Sequence, residues 1–379
     1  MEQEEQVIPP RGLTTLTLRG FKTIRNLVDF HPGAISVLIG PNGAGKSNLI
    51  SFFRFLSWAL ATPGQLQEHI ARLGGASAIL RDGPETTREI EAVLRFETDS
   101  GASEYSFRLA YAAGDTLIFT DERYRYKPHG TMTFQAWKTL GVGHKEPALI
   151  AAAEAGYQTA STIMFLARKM VIHQFHNTSD TARIRQKWNT NEDRWLKEDA
   201  GNLAPFLLRL QRNRPEYYTR IIETIRQVLP FFAEFVLEPE YERVLLSWRE
   251  IGSDHVFSAS QAADGMLRAL ALIALLQQPE EDLPKVLILD EPELGLHPYA
   301  VEVLAGLLRA ASKYVQVVVA TQSVSLINGF SPEDIVVVDR HGRESSFQRL
   351  SSAKLGEWLD EYSLSELWEK NIIGGRPSR

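Results

Sequence analysis

The chain has 379 residues, 44% of them apolar, and a formal net charge of -6, so it can bury a large core but offers no overall positive charge to nucleic acid. It contains no cysteine, which excludes disulfides, thiolate metal sites and thiol nucleophiles and leaves any chemistry to carboxylates, lysine, histidine or a bound cation. No run approaches the roughly 18 consecutive apolar residues of a membrane span, and the acidic opening MEQEEQVIPPRG lacks the basic-then-apolar order of a signal peptide; a cytoplasmic protein with no membrane association is expected.

Residues 13–19 (LTTLTLR) and 24–30 (IRNLVDF) read as short strands, and 35–40 (ISVLIG) as a buried strand ending on a glycine turn. From residue 46 to about 61 the apolar residues fall nearly all round, as in a helix buried against a sheet. Residues 87–97, 104–112 and 116–126 alternate between turn residues like an antiparallel meander. Helical patterns follow at 146–169 and 201–229, separated at 173–188 by a strand end and a polar loop. The core pattern resumes at 243–250, then a helix at 264–277, a strand at 285–290, a helix at 298–312 and a strand at 315–321. This alternation predicts an α/β fold with a mainly parallel sheet. The expected organisation is a single domain over 1–379. Its core comes from 13–60 and 240–350, with an antiparallel β lobe at 61–130, a helical insertion at 131–235 and a C-terminal amphipathic segment at 351–379. No internal repeat appears, and no heptad pattern runs between the glycine loop and the later carboxylates.

Gly40, Pro41, Asn42, Gly43, Ala44, Gly45, Lys46 and Ser47 fit G-x-x-x-x-G-K-[ST] at every fixed position. Such a loop turns backbone N–H groups inward around phosphate oxygens, and the helix N-terminus adds partial positive charge. Lys46 would reach the β- and γ-phosphates of ATP, and Ser47 would offer a hydroxyl to Mg2+. The bland reading, a glycine turn before a helix, does not explain the second element, Val286 to Pro292 (VLILDEP), which delivers two adjacent carboxylates at the end of a buried strand. Ligands gather at that end of open α/β sheets. Asp290 is expected to hold Mg2+ through water, and Glu291 to orient and deprotonate the attacking water; Pro292 also suits both as mere caps of the next helix.

Together GPNGAGKSN (residues 40–48, ending at Asn48), the opening LRGFKTIRNLVDF, LILDEPELGLHP and VVVATQS resemble the RecF-like, SMC-related ATPases of the ABC class. More narrowly they resemble the stand-alone bacterial AAA-family ATPases carrying EPELGLHP and TQS. The resemblance implies an α/β P-loop NTPase of the ABC/RecF type that hydrolyses ATP with Mg2+ and closes as a homodimer over two nucleotides. It implies a signature element before the carboxylate strand, matched by Ala262 to Met266, in which Asp264 and Gly265 open a helix toward the nucleotide of the other subunit; Ala263 stands where relatives carry serine. It implies a switch residue, matched by Gln322 where many relatives have histidine, and a loop between active sites, matched by Leu294 to His297. For the Q-loop glutamine, a contact to Mg2+, the best match is Gln174.

Weaker signals leave alternatives open. Phe21 and Lys22 match an element near the base in relatives, or are a buried Phe beside an exposed Lys. His173 and His176 form a metal pair or loop structure near the nucleotide. Arg209, Arg212, Arg214, Arg220 and Arg226 form a solvated helix face or a contact to DNA. Leu355, Trp358, Leu359 and Tyr362 fall at helical spacing and pack on the core or on a partner. Three functions fit: an ATPase of DNA repair or antiphage defence, the motor of a two-component system with a small TOPRIM-like nuclease partner, and a transporter ATPase. The last is weakest because the chain has neither LSGGQ nor a histidine switch. Too few residues follow Thr321 for a fused TOPRIM domain.

Overall fold

A computed structural model describes residues 12–356 and 358–375; the acidic opening, apart from Gly12, lies outside them. Two six-stranded sheets organise the chain. One is antiparallel, with neighbouring strands in the order Ile24–Phe30, Leu13–Phe21, Glu89–Thr98, Gly101–Ala112, Thr116–Pro128 and Lys138–Gly141. The other places Ile335–His341, Ile35–Ile39, Gln316–Thr321, Val286–Asp290 and Met170–His173 side by side and parallel, with Glu344–Arg349 added antiparallel at one edge. Its central strands are apolar on both faces because both are covered.

Alternate residues of those strands show what covers each face. Val37, Ile39, Leu287, Leu289, Val317 and Val319 belong to a core shared with helices Leu203–Asn213, Pro215–Val228, Asp264–Leu276 and Pro298–Ala311. Leu38, Ile288, Val318 and Ala320 belong to a second core with helices Lys46–Ala59, Ala148–Glu154 and Gln158–Arg168 and the antiparallel sheet. A period of two along each strand thus sends neighbouring residues into different cores.

Several boundaries differ from those expected. The β lobe is not confined to 61–130: Leu13–Phe21 pairs on both sides, with Ile24–Phe30 and Glu89–Thr98, so residues counted in the core complete the antiparallel sheet. Residues 65–72 and 76–79 are helical. The 131–235 insertion is not one helical lobe, because Met170–His173 enters the parallel sheet beside Val286–Asp290 and leaves the helices before and after it on opposite faces. Residues 243–250 stay outside the parallel sheet: Arg243–Val244 pairs with Trp188–Asn189, and Ser247–Glu250 with Phe232–Phe235 and Val256–Ser258. The helical stretch at 201–229 breaks at Arg214, which leaves helical geometry (φ -144, ψ 60) because it precedes Pro215, the first residue of the next helix. The C-terminal stripe is not one helix; Ser352–Leu355, Trp358–Glu361 and Leu364–Glu369 are separate turns. Leu355, Leu367 and Trp368 are buried, with Leu359 and Tyr362 packed against the same core, so these residues of the stripe pack on their own chain while Trp358 is exposed.

Candidate active site

The strand Ile35–Ile39 is buried at all five positions and ends where Gly40 begins the loop. A Cβ at Gly40 would collide with the Val338 carbonyl, and its φ of 152 is a conformation that side chains rarely adopt. Helix Lys46–Ala59 starts from Gly45 with no side-chain cap, so its first N–H groups remain for an anion. Neighbours brace the loop: Arg340 donates to the Gly43 carbonyl at 3.1 Å, and Ser345 donates to the Ala44 carbonyl. Thr23 lies 2.6 Å from the Ser345 hydroxyl and accepts from Asn48 at 2.7 Å. The Asn48 side chain therefore supports the loop from behind. Lys46 donates to the carbonyls of Gly40 (2.6 Å) and Pro41 (3.2 Å). Burial lowers its pKa, opposed by the carboxylates of Glu291, Asp290 and Glu293. Ser47 is exposed at the helix start, and Pro41, Asn42 and Gly43 form the accessible rim.

Val286–Asp290 lies between Gln316–Thr321 and Met170–His173, which brings three chain segments to one strand end. Gln174 donates to Asp290 Oδ2 at 3.4 Å and accepts from Arg54 of the phosphate-loop helix at 3.2 Å. His176 bonds through Nε2 to the Asp290 carbonyl at 2.9 Å. Burial raises the Asp290 pKa, with Glu291 adding to the rise and His176, Arg54 and Lys46 opposing it. Glu291 has a φ of 43, a left-handed conformation costing on the order of 1–3 kcal/mol for such a residue. Its N–H donates to the Ala320 carbonyl at 2.8 Å, and its carboxylate accepts from the Gln322 amide. Glu293 accepts from Thr321, and burial raises its pKa. Among the described residues no group of three or more His, Asp or Glu forms a metal cage. A Mg2+ held by one carboxylate, phosphate oxygens and water needs none; the contact of Gln174 with Asp290 leaves one carboxylate and one amide for such an ion, with the Ser47 hydroxyl exposed at the helix start.

The cleft above the loop has a volume of about 920 Å³ and is lined by Gly40–Ala44, Gln322, Asp339–Gly342 and residues from Trp368 to Gly375.

Residues 35–328 match the family model described as "AAA domain, putative AbiEii toxin, Type IV TA system". The chain belongs to this AAA-domain family. No curated protein matches it. Among solved structures, an Smc head bound to the C-winged helix domain of ScpA has 17% identity, covers 90% of this chain and 99% of its own, and superposes with a TM-score of 0.57. An Smc head with an extended coiled coil, bound to the C-terminal domain of ScpA from Pyrococcus furiosus, has 16% identity, coverage of 93% and 99%, and a TM-score of 0.54. Identities this low show the fold alone: an SMC/ABC-like P-loop ATPase fold. No helix among the described residues is long and apolar enough to cross a membrane.

The residues expected to form the signature line a different cavity from the phosphate loop. Asp264 and Gly265 open helix Asp264–Leu276, with Ala263 as an N-cap that makes no side-chain bond. Gly265 and the 294–297 loop line a different cavity, of about 490 Å³. A Cβ at Gly265 would collide with the Gly295 carbonyl of the same chain; this glycine is required by an intrachain contact. Arg185 donates to the Ala262 carbonyl (3.1 Å) and the Asp264 carboxylate (3.0 Å). Arg268 donates to the carbonyls of Phe175 (3.1 Å), His176 (3.1 Å) and Leu294 (2.9 Å).

Other candidates take structural roles. Phe21 is buried against Phe52 and Phe55, and Lys22 donates to Ser51 at 2.7 Å. His173 is fully buried and held to a pKa of about 4 by that burial, while His176 faces Asp290, so the two do not form a metal pair. Sequence reasoning missed Arg54, Glu293, Arg185 and Arg268. Glu293 was legible in principle, two residues after Glu291 in the same turn; the arginines carry no local signal because their acceptors, the Gln174 side chain for Arg54 and mainly backbone carbonyls for Arg185 and Arg268, lie far along the chain.

Proposed function

We propose that this chain binds Mg-ATP in the cleft above Gly40–Ser47, hydrolyses it, and works as a nucleotide-clamped homodimer in DNA repair or antiphage defence. One observation carries the hydrolytic part: Gln174, Asp290, Glu291 and Gln322, from three separate segments, meet at one strand end in direct hydrogen-bond contact. In this reading Lys46 and the loop N–H groups hold the phosphates, and Ser47, Asp290 and Gln174 hold Mg2+, which neutralises the β- and γ-oxygens when bound. Glu291 orients the attacking water and takes its proton. Gln322 fixes the Glu291 carboxylate and lies where the γ-phosphate would be sensed. Asp264 and Gly265, at the start of a helix that lines a different cavity, act on the nucleotide of the second subunit. Steady-state phosphate release by the purified protein, against Glu291→Gln, tests the reading. Equal rates in the two proteins, or none in either, would overturn it.

A second reading makes the chain the regulatory motor of a two-component system with a small TOPRIM-like nuclease partner. The arginine-rich helices favour it. Arg209 pairs with Asp282 (2.9 Å), Arg214 with Glu281 (2.6 Å), and Arg220 donates to the Gln277 carbonyl (3.0 Å), so these arginines bind the chain's own groups and leave nucleic-acid contact to a partner.

A further inference from the structure

The last described residues return to the phosphate loop. Helix Leu364–Glu369, capped by Ser363, is tied to the segment after Gln322 by the Ser365 N–H, which donates to Asn328 Oδ1 at 3.0 Å. Beyond it the chain reverses through Asn371, Gly374 and Gly375, all at positive φ. The Gly375 N–H then donates to Asp339 Oδ1 at 2.9 Å, and the buried Trp368 indole donates to the Gly375 carbonyl at 3.0 Å. A Cβ at Gly375 would lie 2.9 Å from Trp368 Nε1, 3.2 Å from Val337 Cγ1 and 3.6 Å from the Cα of Gly40. Asp339 follows Val338, whose carbonyl abuts Gly40. Tail, strand and first loop residue thus form one packed unit along the wall of the 920 Å³ cleft.

We infer that Trp368, Gly375 and Asp339 form a clasp that positions the phosphate loop for nucleotide, and that nucleotide in turn tightens the clasp. The inference rests on the reading of this cleft as the ATP site. A loop whose N–H groups are already arrayed loses less conformational freedom on binding. If the docked tail favours that array, linkage requires bound nucleotide to favour the docked tail by the same factor. The connection through Asn328 couples the tail to the Gln322 segment as well, so one element touches both ends of the phosphate site. A tail that merely plugs the core would dock equally well with and without nucleotide.

Hydrogen exchange of residues 364–375, measured by mass spectrometry with and without Mg-ATP in the Glu291→Gln protein, reads the coupling directly. Exchange there should slow several-fold on adding nucleotide. In parallel, Kd for ATP should rise about three- to tenfold in Trp368→Phe and Asp339→Ala, the size expected for one lost hydrogen bond. Asp339→Asn, whose amide oxygen can still accept from Gly375, should restore most of the affinity. Nucleotide binding with unchanged exchange in the tail, or with wild-type Kd in Trp368→Phe and Asp339→Ala, would overturn the clasp while leaving the ATP site intact. Absence of ATP binding by the parent protein would instead overturn the reading of the cleft, and the clasp with it.

Discussion

Two carboxylates and one lysine meet where three parallel strands end, and their environments separate their proposed roles. Lys46 is held among backbone carbonyls and within the field of Asp290, Glu291 and Glu293, so Lys46→Ala removes the cation proposed to hold the phosphates. Isothermal titration should show no ATP binding in that variant. Glu291→Gln keeps the shape and the contact to Gln322 but cannot take a proton. ATP affinity should stay near that of the parent while hydrolysis falls by about 10² or more, as measured by single-turnover phosphate release. His173 supplies a prediction in pH. Its pKa is about 4 in the folded protein against an ordinary value of 6.5, so between these values the unfolded chain binds the extra proton. Stability is therefore full above about pH 6.5 and is lost as pH falls toward 4, by at most about 3 kcal/mol from this group. Urea midpoints at pH 7 and pH 4.5 should drop more in the parent than in His173→Gln.

Helix Asp264–Leu276 shows how an element transmits position. Arg268 reaches carbonyls on both the 174–178 segment, which carries Gln174, and the 294–297 loop. Arg185 holds the start of the same helix. These are charge-assisted bonds to partly buried acceptors. Arg268→Ala should therefore cost about 2 kcal/mol in urea denaturation and slow hydrolysis without contacting ATP, through displacement of Gln174. Gly265→Ala pushes a methyl into the Gly295 carbonyl, so the 294–297 loop must shift; a lowered unfolding midpoint together with slower hydrolysis is expected there.

The phosphate loop and the start of helix Asp264–Leu276 line separate cavities, and in the proposed clamp that helix acts on the nucleotide of the second subunit. Glu291→Gln should accordingly dimerise when Mg-ATP is added, with sedimentation velocity as the measurement; an unchanged monomer at saturating ATP would contradict the clamped dimer. Duplex binding, where present, should weaken linearly in log-log terms with salt through counterion release. Because Arg214 is paired with Glu281 and Arg220 with the Gln277 carbonyl, charge reversal at these positions should lower the unfolding midpoint and leave the salt slope unchanged.

The sequence by itself determined the short-range parts of this protein. The spacing of Gly40 to Ser47, the apolar strand before it and the adjacent Asp290 and Glu291 are local patterns, and the glycines and strand end that their chemistry needs follow within a few residues. The α/β alternation likewise announced the parallel sheet, because period-two and period-3.6 patterns are written in single segments. Only the tertiary structure decided the rest. Whether Leu13–Phe21 joins the core or the antiparallel sheet depends on pairing with Glu89–Thr98, far along the chain, and register with a distant strand leaves no local mark. The strand Met170–His173 is four residues long, too short for periodicity to show that it enters the parallel sheet and splits the helices between two faces. Arg54 owes its role to the Gln174 side chain 120 residues away, Arg185 and Arg268 owe theirs to distant backbone carbonyls, and Gly375 to its approach to Gly40. Such contacts arise from three-dimensional closure, which no window of sequence contains.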